Sequence, residues 1–249
     1  MAEKIKAPLE SQLGNSLCSI EDTEAMFWLR ESDDYQSRFA LGNSLAAQYR
    51  FKEAAAAYEN ALRIRQDDWK LQYSLGGAYL TVRQFDKAMA AYRRCTELGA
   101  TEKVIAYPWG VSCYLQKDYG SAATWFEKVL PCDDEMAIAV IYWHTLSCYR
   151  TGSEPKLLRN YCKDMKVGHH TAYQLAVSVF FKETDWEQAI LQIECEKSDL
   201  NYIISLYGLC GYLDHIGEHT RSNQYMAELL ERDSVWPCIS YLAAWNDAL

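Results

Sequence analysis

A repeat of 34 residues constrains this chain more than any other feature of its sequence. The blocks 41–62, 75–96 and 109–130 superpose when each is shifted by 34 residues. Four columns coincide in all three copies: a glycine, an aromatic residue, an alanine and a second aromatic residue. The columns are Gly42, Gly76 and Gly110; Phe51, Phe85 and Tyr119; Ala54, Ala88 and Ala122; and Tyr58, Tyr92 and Phe126. A chain with such a period folds as stacked copies of one supersecondary unit.

Each block contains two apolar-periodic segments of about a dozen residues, separated by a short polar break such as Gln48-Tyr49-Arg50. This pattern predicts a pair of antiparallel helices. Small residues in the glycine and alanine columns allow the two helices to approach each other closely. The second aromatic column is expected to fill the volume between one pair and the next.

The period of 34, with the pattern L-G-x-x-Y followed by A-x-x-x-F/Y, is similar to that of the tetratricopeptide repeat family over residues 35–136. The resemblance implies an all-α fold, a right-handed superhelical solenoid of antiparallel helix pairs. In this family the first helix of each pair lines a concave surface. Residues 35–136 hold three well-matched units.

Residues 137–236 resemble the same repeat more loosely and accommodate three degenerate units, near 138–169, 170–202 and 203–236. Pro155 is expected to start the second helix of the fourth unit. Trp186 and Ala189 mark the fifth unit, and Gly217 marks the sixth. The prediction is therefore about six repeats.

Both ends are predicted to carry helices that cover the array. The N-terminal segment 1–34 contains an expected helix over 16–32, whereas its first dozen residues are expected to be loose. The segment 237–249 is predicted to form a C-terminal capping helix, because Pro237 suits a first turn and an exposed terminal face needs a cap.

Composition excludes several classes of function. The 249 residues are 49% hydrophobic and 24% charged, which indicates a folded chain, and a net charge of −9 argues against nucleic acid as a partner. The longest apolar run, 136–143, is far shorter than the roughly 18–20 residues that span a bilayer. We therefore expect no membrane insertion and, without a signal-like apolar region near Met1, a cytoplasmic location.

The charge is unevenly distributed along the chain. Residues 35–102 contain 10 basic and 7 acidic residues, a net +3 inside an acidic protein. Such an excess favours an acidic partner at that end, or it is the charge of a solvated helical face.

The nine cysteines show no CxxC spacing, so reduced thiols are expected and neither a disulfide framework nor a zinc ribbon is predicted. Cys95, Cys113 and Cys148 fall in columns that hold core residues in other units, and they are predicted to be small core residues.

No motif for catalysis or phosphate binding is present, so the sequence predicts neither an enzyme nor a cofactor. His215 and His219 lie four residues apart, as two metal ligands on one helical turn would. Because Gly217 breaks the pattern between them, they are expected on different helices, and no metal site is predicted. An enzyme that uses either histidine or a cysteine remains the alternative from this class.

The family resemblance also implies which positions face the groove: the second, fifth, ninth, twelfth and thirteenth of each unit. Tyrosine is common among them, and it provides a large contact area together with a hydroxyl group, which suits a bound helix or extended peptide. The residues assigned to this peptide-binding groove are Phe39, Asn43, Lys70, Tyr73, Tyr107, Val111, Tyr114, Tyr142, Leu146, Tyr149, Arg150 and Tyr207. The alternative is that several tyrosines pack against neighbouring pairs, or that the segment with Met26, Phe27 and Trp28 fills the groove.

One role within the family is disfavoured. Cochaperones that grip the C-terminal carboxylate of heat-shock chaperones use a basic and amide set at five positions. Here only Asn43 matches, and the other four positions hold Phe39, Ser74, Val104 and Pro108. One amide cannot neutralise a carboxylate.

The sequence thus predicts a non-catalytic protein–protein interaction module, a scaffold, adaptor or chaperone, that holds a peptide or helix of another protein. One alternative is a bacterial secretion-type chaperone, which this chain resembles in acidity and aromatic groove, although three repeats are usual there. A second is a structural subunit of a homo-oligomer whose groove is covered by its own copy.

Overall fold

The computed structural model describes residues 23–248, together with the backbone of the pairs 5–6 and 15–16. Apart from one short antiparallel pair, β1 (Ile5–Lys6) with β2 (Asn15–Ser16), the regular structure of this part of the chain is helical. The prediction of an all-α fold built from helix pairs is confirmed.

The chain forms two compact units, Met1–Pro108 and Trp109–Leu249. The division falls inside helix α6 at Pro108, which has no N–H to donate to the helical hydrogen bonds. The predicted segment boundaries at 34/35, 136/137 and 236/237 follow repeat quality instead, and they stay predictions.

In the first unit, each helix packs against its neighbours along the chain. The second and third helices form one pair, the fourth and fifth form the next, and the first helix packs on the second. The helices are α1 (Glu24–Glu31), α2 (Tyr35–Ala47), α3 (Phe51–Ile64), α4 (Trp69–Thr81), α5 (Phe85–Glu97) and the start of α6 (Glu102–Leu115).

Short polar side chains start many of these helices. Asp68, for example, accepts a hydrogen bond from the backbone N–H of Lys70 at 2.8 Å and so satisfies one donor that the first turn of α4 leaves free. The residues that cap helices in this way are Thr23, Asp34, Asp68, Asp118, Asp133, Asp185 and Ser198.

The repeat columns correspond to direct contacts within each helix pair. A Cβ atom added to Gly76 would lie 2.5 Å from Cε1 of Tyr92, so only glycine leaves room for the ring. The pairs are Gly42 with Tyr58, Gly76 with Tyr92, and Gly110 with Phe126. The sequence placed these rings between one pair and the next, whereas each ring covers the glycine of its own pair, because that glycine opens a slot in the facing helix.

The second unit contains the remaining helices. They are α7 (Tyr119–Glu127), α8 (Asp134–Thr151), α9 (Thr171–Phe180), α10 (Trp186–Glu194), α11 (Asp199–His215), α12 (His219–Leu230) and α13 (Ile239–Asp247), with 3-10 helices at Lys156–Asn160 and Asp233–Val235. Two of them, α8 and α11, pack against each other and against α9. Residues 137–148 of α8 and 202–211 of α11 are buried without interruption. Helices that are apolar all round lie inside a fold.

Two predicted helices differ in the structure. In the fourth unit, the predicted second helix is replaced by a five-residue 3-10 helix that follows Pro155. The buried residues Leu157 and Tyr161 are spaced as on a helix, but the next buried residue, Val167, does not continue that spacing. The predicted helix over 16–32 begins at Glu24, after its capping residue Thr23, and Ser16 belongs to β2. The prediction that the first dozen residues are loose falls mostly outside the described residues.

Candidate functional site

The twelve residues assigned to the groove divide between the two units. Five lie in the first unit, where Asn43, Lys70 and Tyr73 are exposed while Phe39 and Tyr107 are half-buried. In the second unit, Tyr149 is half-buried and the Arg150 side chain is 27% exposed. The remaining five, Val111, Tyr114, Tyr142, Leu146 and Tyr207, are at most 2% exposed. We call the first group the first-unit face (Phe39, Asn43, Lys70, Tyr73 and Tyr107); none of its five residues is fully buried.

Aromatic residues of α3 and α5, the second helices of their pairs, pack against side chains of the first-unit face. The ring of Phe39 lies edge-on to Tyr58, with centroids 5.8 Å apart, and Tyr73 lies edge-on to Tyr92 at 6.0 Å. The hydroxyl of Tyr58 donates to Oδ1 of Asn43 at 2.8 Å. Burial raises the pKa of Tyr58 to about 12, so the phenol keeps its proton and its donor role at neutral pH. These contacts orient the exposed side chains before any partner binds.

Charge and apolar surface are combined on this face. Lys70 is exposed, and its Nζ lies 5.9 Å from the centroid of the neighbouring Trp69 ring. Tyr73 is 37% exposed, and Val104, which lies on α6 three residues before Tyr107, is 39% exposed. A partner would therefore meet aromatic and aliphatic surface beside a solvated ammonium group.

In the second unit, predicted groove residues pack inside the protein. Tyr142 donates its hydroxyl hydrogen to the carbonyl of Ile204 at 2.8 Å, and burial raises its pKa well above the usual value. A Cβ added to Gly208 would lie 2.6 Å from Cε2 of Tyr142, and Leu146 packs on Gly211 in the same manner. The sequence pattern did not predict this packing of α8 on α11. The glycines that allow it lie on α11, which is three α-helices further along the chain than α8.

A polar cluster lies at the end of α13 in this unit. Asp247 accepts hydrogen bonds from Nη2 of Arg150 at 2.5 Å and from the hydroxyl of Tyr207 at 2.9 Å. The hydroxyl oxygens of Tyr207 and Tyr114 are 2.9 Å apart. We call these four residues the Asp247 cluster. Burial raises the pKa of Asp247, while the charge of Arg150 and the Tyr207 hydrogen bond oppose that shift.

Three members of the Asp247 cluster stand among the predicted groove residues, but Asp247 itself does not. Its neighbour Asn246 donates from Nδ2 to the carbonyl of Leu115 at 3.0 Å. The sequence contains no signal for either contact, since 131 positions separate Asn246 from Leu115 and no repeat column covers α13.

A cysteine and a histidine meet in the core of the second unit. Sγ of Cys148 lies 3.8 Å from the ring nitrogens of His144, and Nε2 of His144 lies 3.4 Å from Oε1 of Glu127. Burial raises the pKa of Cys148 and lowers the pKa of His144, so both groups are held in their neutral forms. A neutral buried thiol is a poor nucleophile.

Cys95, Cys113 and Cys148 are buried, which confirms the prediction that they are core residues. Burial raises the pKa of both Cys95 and Cys113 to about 11.

The two spaced histidines lie on different helices, as the break at Gly217 predicts. His215 ends α11 and stacks on Tyr149 with centroids 3.9 Å apart. His219 starts α12, and its Nδ1 lies 3.2 Å from Oδ1 of Asp214. Within the described part of the chain, no group of three or more His, Cys, Asp or Glu side chains is placed to hold a metal ion. No helix among these residues has the length and apolar character needed to cross a bilayer.

Comparison with known proteins identifies the repeat. The family model described as the tetratricopeptide repeat matches residues 39–102. No curated protein matches the chain. Among solved structures, the chain is similar to YrrB, described as a tetratricopeptide repeat protein with an unusual peptide-binding site, with 10% identity, a TM-score of 0.48, and coverage of 84% of this chain and 92% of that chain.

A second similar structure is that of Naa15/Naa10 bound to HypK-THB. The identity is 18%, the TM-score is 0.38, and the match covers 84% of this chain but only 33% of the other. This chain therefore spans about a third of the length of that protein.

Proposed function

We propose that the chain binds a peptide or helical segment of another protein on the first-unit face, because the tetratricopeptide repeat model matches residues 39–102 and proteins of that family are in general non-catalytic modules for protein–protein interaction. A role as scaffold, adaptor or chaperone and a cytoplasmic location belong to the same proposal.

The observation that carries this proposal is a ladder of three aromatic residues. Phe39, Tyr73 and Tyr107 occupy the fifth position of three successive units, 34 residues apart, and none of them is fully buried. Packed helices lie roughly 8–10 Å apart, and an extended peptide in the polyproline II conformation repeats every three residues with a rise of about 3.1 Å per residue. Such a peptide, crossing the first helices, would bring every third side chain to one of these rings.

Two of the alternatives use the same surface differently. A secretion-type chaperone would hold a segment of its cargo here, and a homo-oligomer would cover the face with a second copy of the chain. Mass determination in solution separates the second from the monomeric module.

The first prediction is that Phe39→Ala combined with Tyr73→Ala reduces capture of the partner at least tenfold. Truncation of an aromatic hot spot costs about 2 kcal/mol or more of binding free energy. The measurement is affinity capture from cell extract with identification by mass spectrometry, followed by titration of the recovered partner with purified protein.

The control is Phe181→Ala, which removes an aromatic ring that is 48% exposed on the second unit. Circular dichroism establishes that all variants are folded. If the double variant and the control retain the same partners as the native chain, the aromatic residues of the first-unit face are not the binding site. Tyr142 is unsuitable for this test, because its side chain is fully buried.

A further inference from the structure

Helix α13 is buried on almost all sides, although it is only nine residues long. Residues 240–244 and Asn246 are each at most 7% exposed. A capping helix keeps one polar face in water, whereas six of the nine residues of this helix are buried and the other three are half-buried. It therefore has the environment of a bound helix rather than of a terminal cap.

The contacts of α13 reach residues far from it in the sequence. It packs on α11 and α12, its Asn246 reaches the carbonyl of Leu115 at the end of α6, and its Asp247 reaches Arg150 at the end of α8 and Tyr207 on α11. The polar groups that hold it thus come from the first helices of three repeats. In this family those helices carry the surface that binds peptides.

The enclosure of α13 is incomplete. A cavity of about 310 Å³ lies beside the end of the helix, lined by Arg150, Asp214 and Asp247 together with Met226 and Leu230 of α12. Unfilled volume beside the helix removes packing contacts that a closed core would supply, so it weakens the docked state.

We propose that the surface under α13 is a helix-binding site that α13 occupies in place of a partner helix. The partner is a short helix with an apolar and small-residue body that ends in an amide followed by a carboxylate, as Asn246 and Asp247 do. The carbonyl of Leu115 receives the amide, and the guanidinium of Arg150 with the hydroxyl of Tyr207 receives the carboxylate. A charged hydrogen bond to a planar guanidinium is among the strongest available for such recognition.

This site is separate from the first-unit face and does not depend on the function proposed there. Its occupant is a helix, whereas the first-unit face is suited to an extended peptide as well. The test below leaves Phe39, Tyr73 and Tyr107 unchanged, so that failure of one proposal does not imply failure of the other.

The experiment weakens the internal helix and supplies its sequence in trans. The full chain with Asp247→Ala is titrated with a fluorescent peptide of residues 236–248 that carries Cys238→Ser, and binding is followed by anisotropy. We expect the variant to bind this peptide at least tenfold more tightly than the native chain does, because the native α13 competes from within the same molecule.

Two controls test the chemistry of recognition. A peptide in which the residue corresponding to Asp247 is alanine is expected to lose at least tenfold in affinity for the Asp247→Ala chain. Adding Arg150→Gln to that chain is expected to remove the preference for the carboxylate peptide. A preference that persists without Arg150 overturns the assigned recognition.

Hydrogen exchange of the native chain provides a second measurement if the Asp247→Ala chain does not fold. The amides of α13 are expected to exchange at least tenfold faster than those of α11, through release of α13 alone. The proposal is overturned if the two helices exchange together, or if the folded variant does not bind the peptide. It is also overturned if the variant forms dimers by exchanging α13, since the occupant would then be a second copy.

Discussion

Several turns that end the first helix of a pair hold a residue with a side chain in the left-handed backbone region. Tyr49, Arg83 and Lys117 have φ of 62°, 60° and 62°, and Lys182 has φ of 61°. The first three are 34 residues apart. In each turn the backbone N–H of the following residue donates to a carbonyl five residues back in the chain, as Arg50 does to Leu45. This hydrogen bond satisfies one of the carbonyl groups that the end of the helix leaves free. The turn geometry therefore outweighs the strain of a Cβ atom at positive φ.

Glycine occupies the equivalent turn in two of the three degenerate units, the fourth and the sixth. Gly152 and Gly217 have φ of 67° and 89°, and a Cβ atom at either would meet open space. At Gly217 the backbone conformation alone decides the effect of a side chain.

We predict that Gly217→Ala lowers the free energy of unfolding by about 1 kcal/mol, because the left-handed conformation costs an L-residue about 1–2 kcal/mol. Lys182→Gly is expected to raise it by about 0.5–1 kcal/mol, since relief of that strain exceeds the added entropy of the unfolded chain. Urea unfolding of both variants and the native chain measures the two effects. A loss of stability on Lys182→Gly would show that its side-chain contacts, rather than its backbone, determine its contribution.

Helix α4 contains two adjacent glycines with opposite roles. Gly76 lies under the ring of Tyr92, which is 1% exposed, whereas an added Cβ at Gly77 has no atom within 4 Å. The same substitution therefore tests close helix packing at one position and helix propensity at the next.

Gly76→Ala is expected to destabilise the protein by about 1–3 kcal/mol, because a buried ring must move to admit a methyl group. Gly77→Ala is expected to stabilise it by about 0.5–1 kcal/mol, because alanine loses less backbone entropy in a helix. Thermal and urea unfolding of the two variants provide the measurement. Equal effects from both substitutions would mean that the contact between Gly76 and Tyr92 does not limit the approach of α4 and α5.

The interior helices α8 and α11 show why the second half of the chain has a weak repeat pattern. Their residues are buried in unbroken runs, so the alternation of buried and exposed positions that marks an amphipathic helix is lost. A sequence pattern identifies the buried side of a helix by its apolar stripe. When every face is apolar, the pattern does not indicate which side faces which neighbour.

The charge of the whole molecule is uneven, with +3 over residues 35–102 in a chain of net charge −9. Lys70 lies on the first-unit face, whereas Lys52 is an exposed residue of α3, the second helix of its pair. Reversal of either charge changes the net charge of the protein by the same amount. The two variants therefore differ only in where the charge lies.

We predict that Lys70→Glu slows association of an acidic partner of the first-unit face at least threefold, and that Lys52→Glu has a smaller effect. The native rate is expected to fall as ionic strength rises from 0.1 M to 1 M, because the screening length falls from about 10 Å to 3 Å. Stopped-flow or surface-based kinetics with the purified partner measures both. Identical effects of the two variants would mean that net charge, and not the face, governs the encounter.

The sequence by itself determined the repeat, the helix pairs and the small and aromatic columns between 35 and 136. These features depend on contacts within one pair, such as that between Gly76 and Tyr92, which a spacing of sixteen residues in the same block already implies. It also identified the buried cysteines, since their columns hold core residues elsewhere.

Only the tertiary structure decided which predicted groove residues are accessible. Tyr207 stands at the fifth repeat position, as Phe39 and Tyr73 do, and Tyr114 and Arg150 stand at other positions assigned to the groove. All three nevertheless belong to the Asp247 cluster, whose carboxylate lies outside every repeat column. Nothing local distinguishes the two groups, because burial at these positions depends on which distant helix packs over them. A period specifies neighbours along the chain, whereas long-range packing determines whether the surface they form stays open.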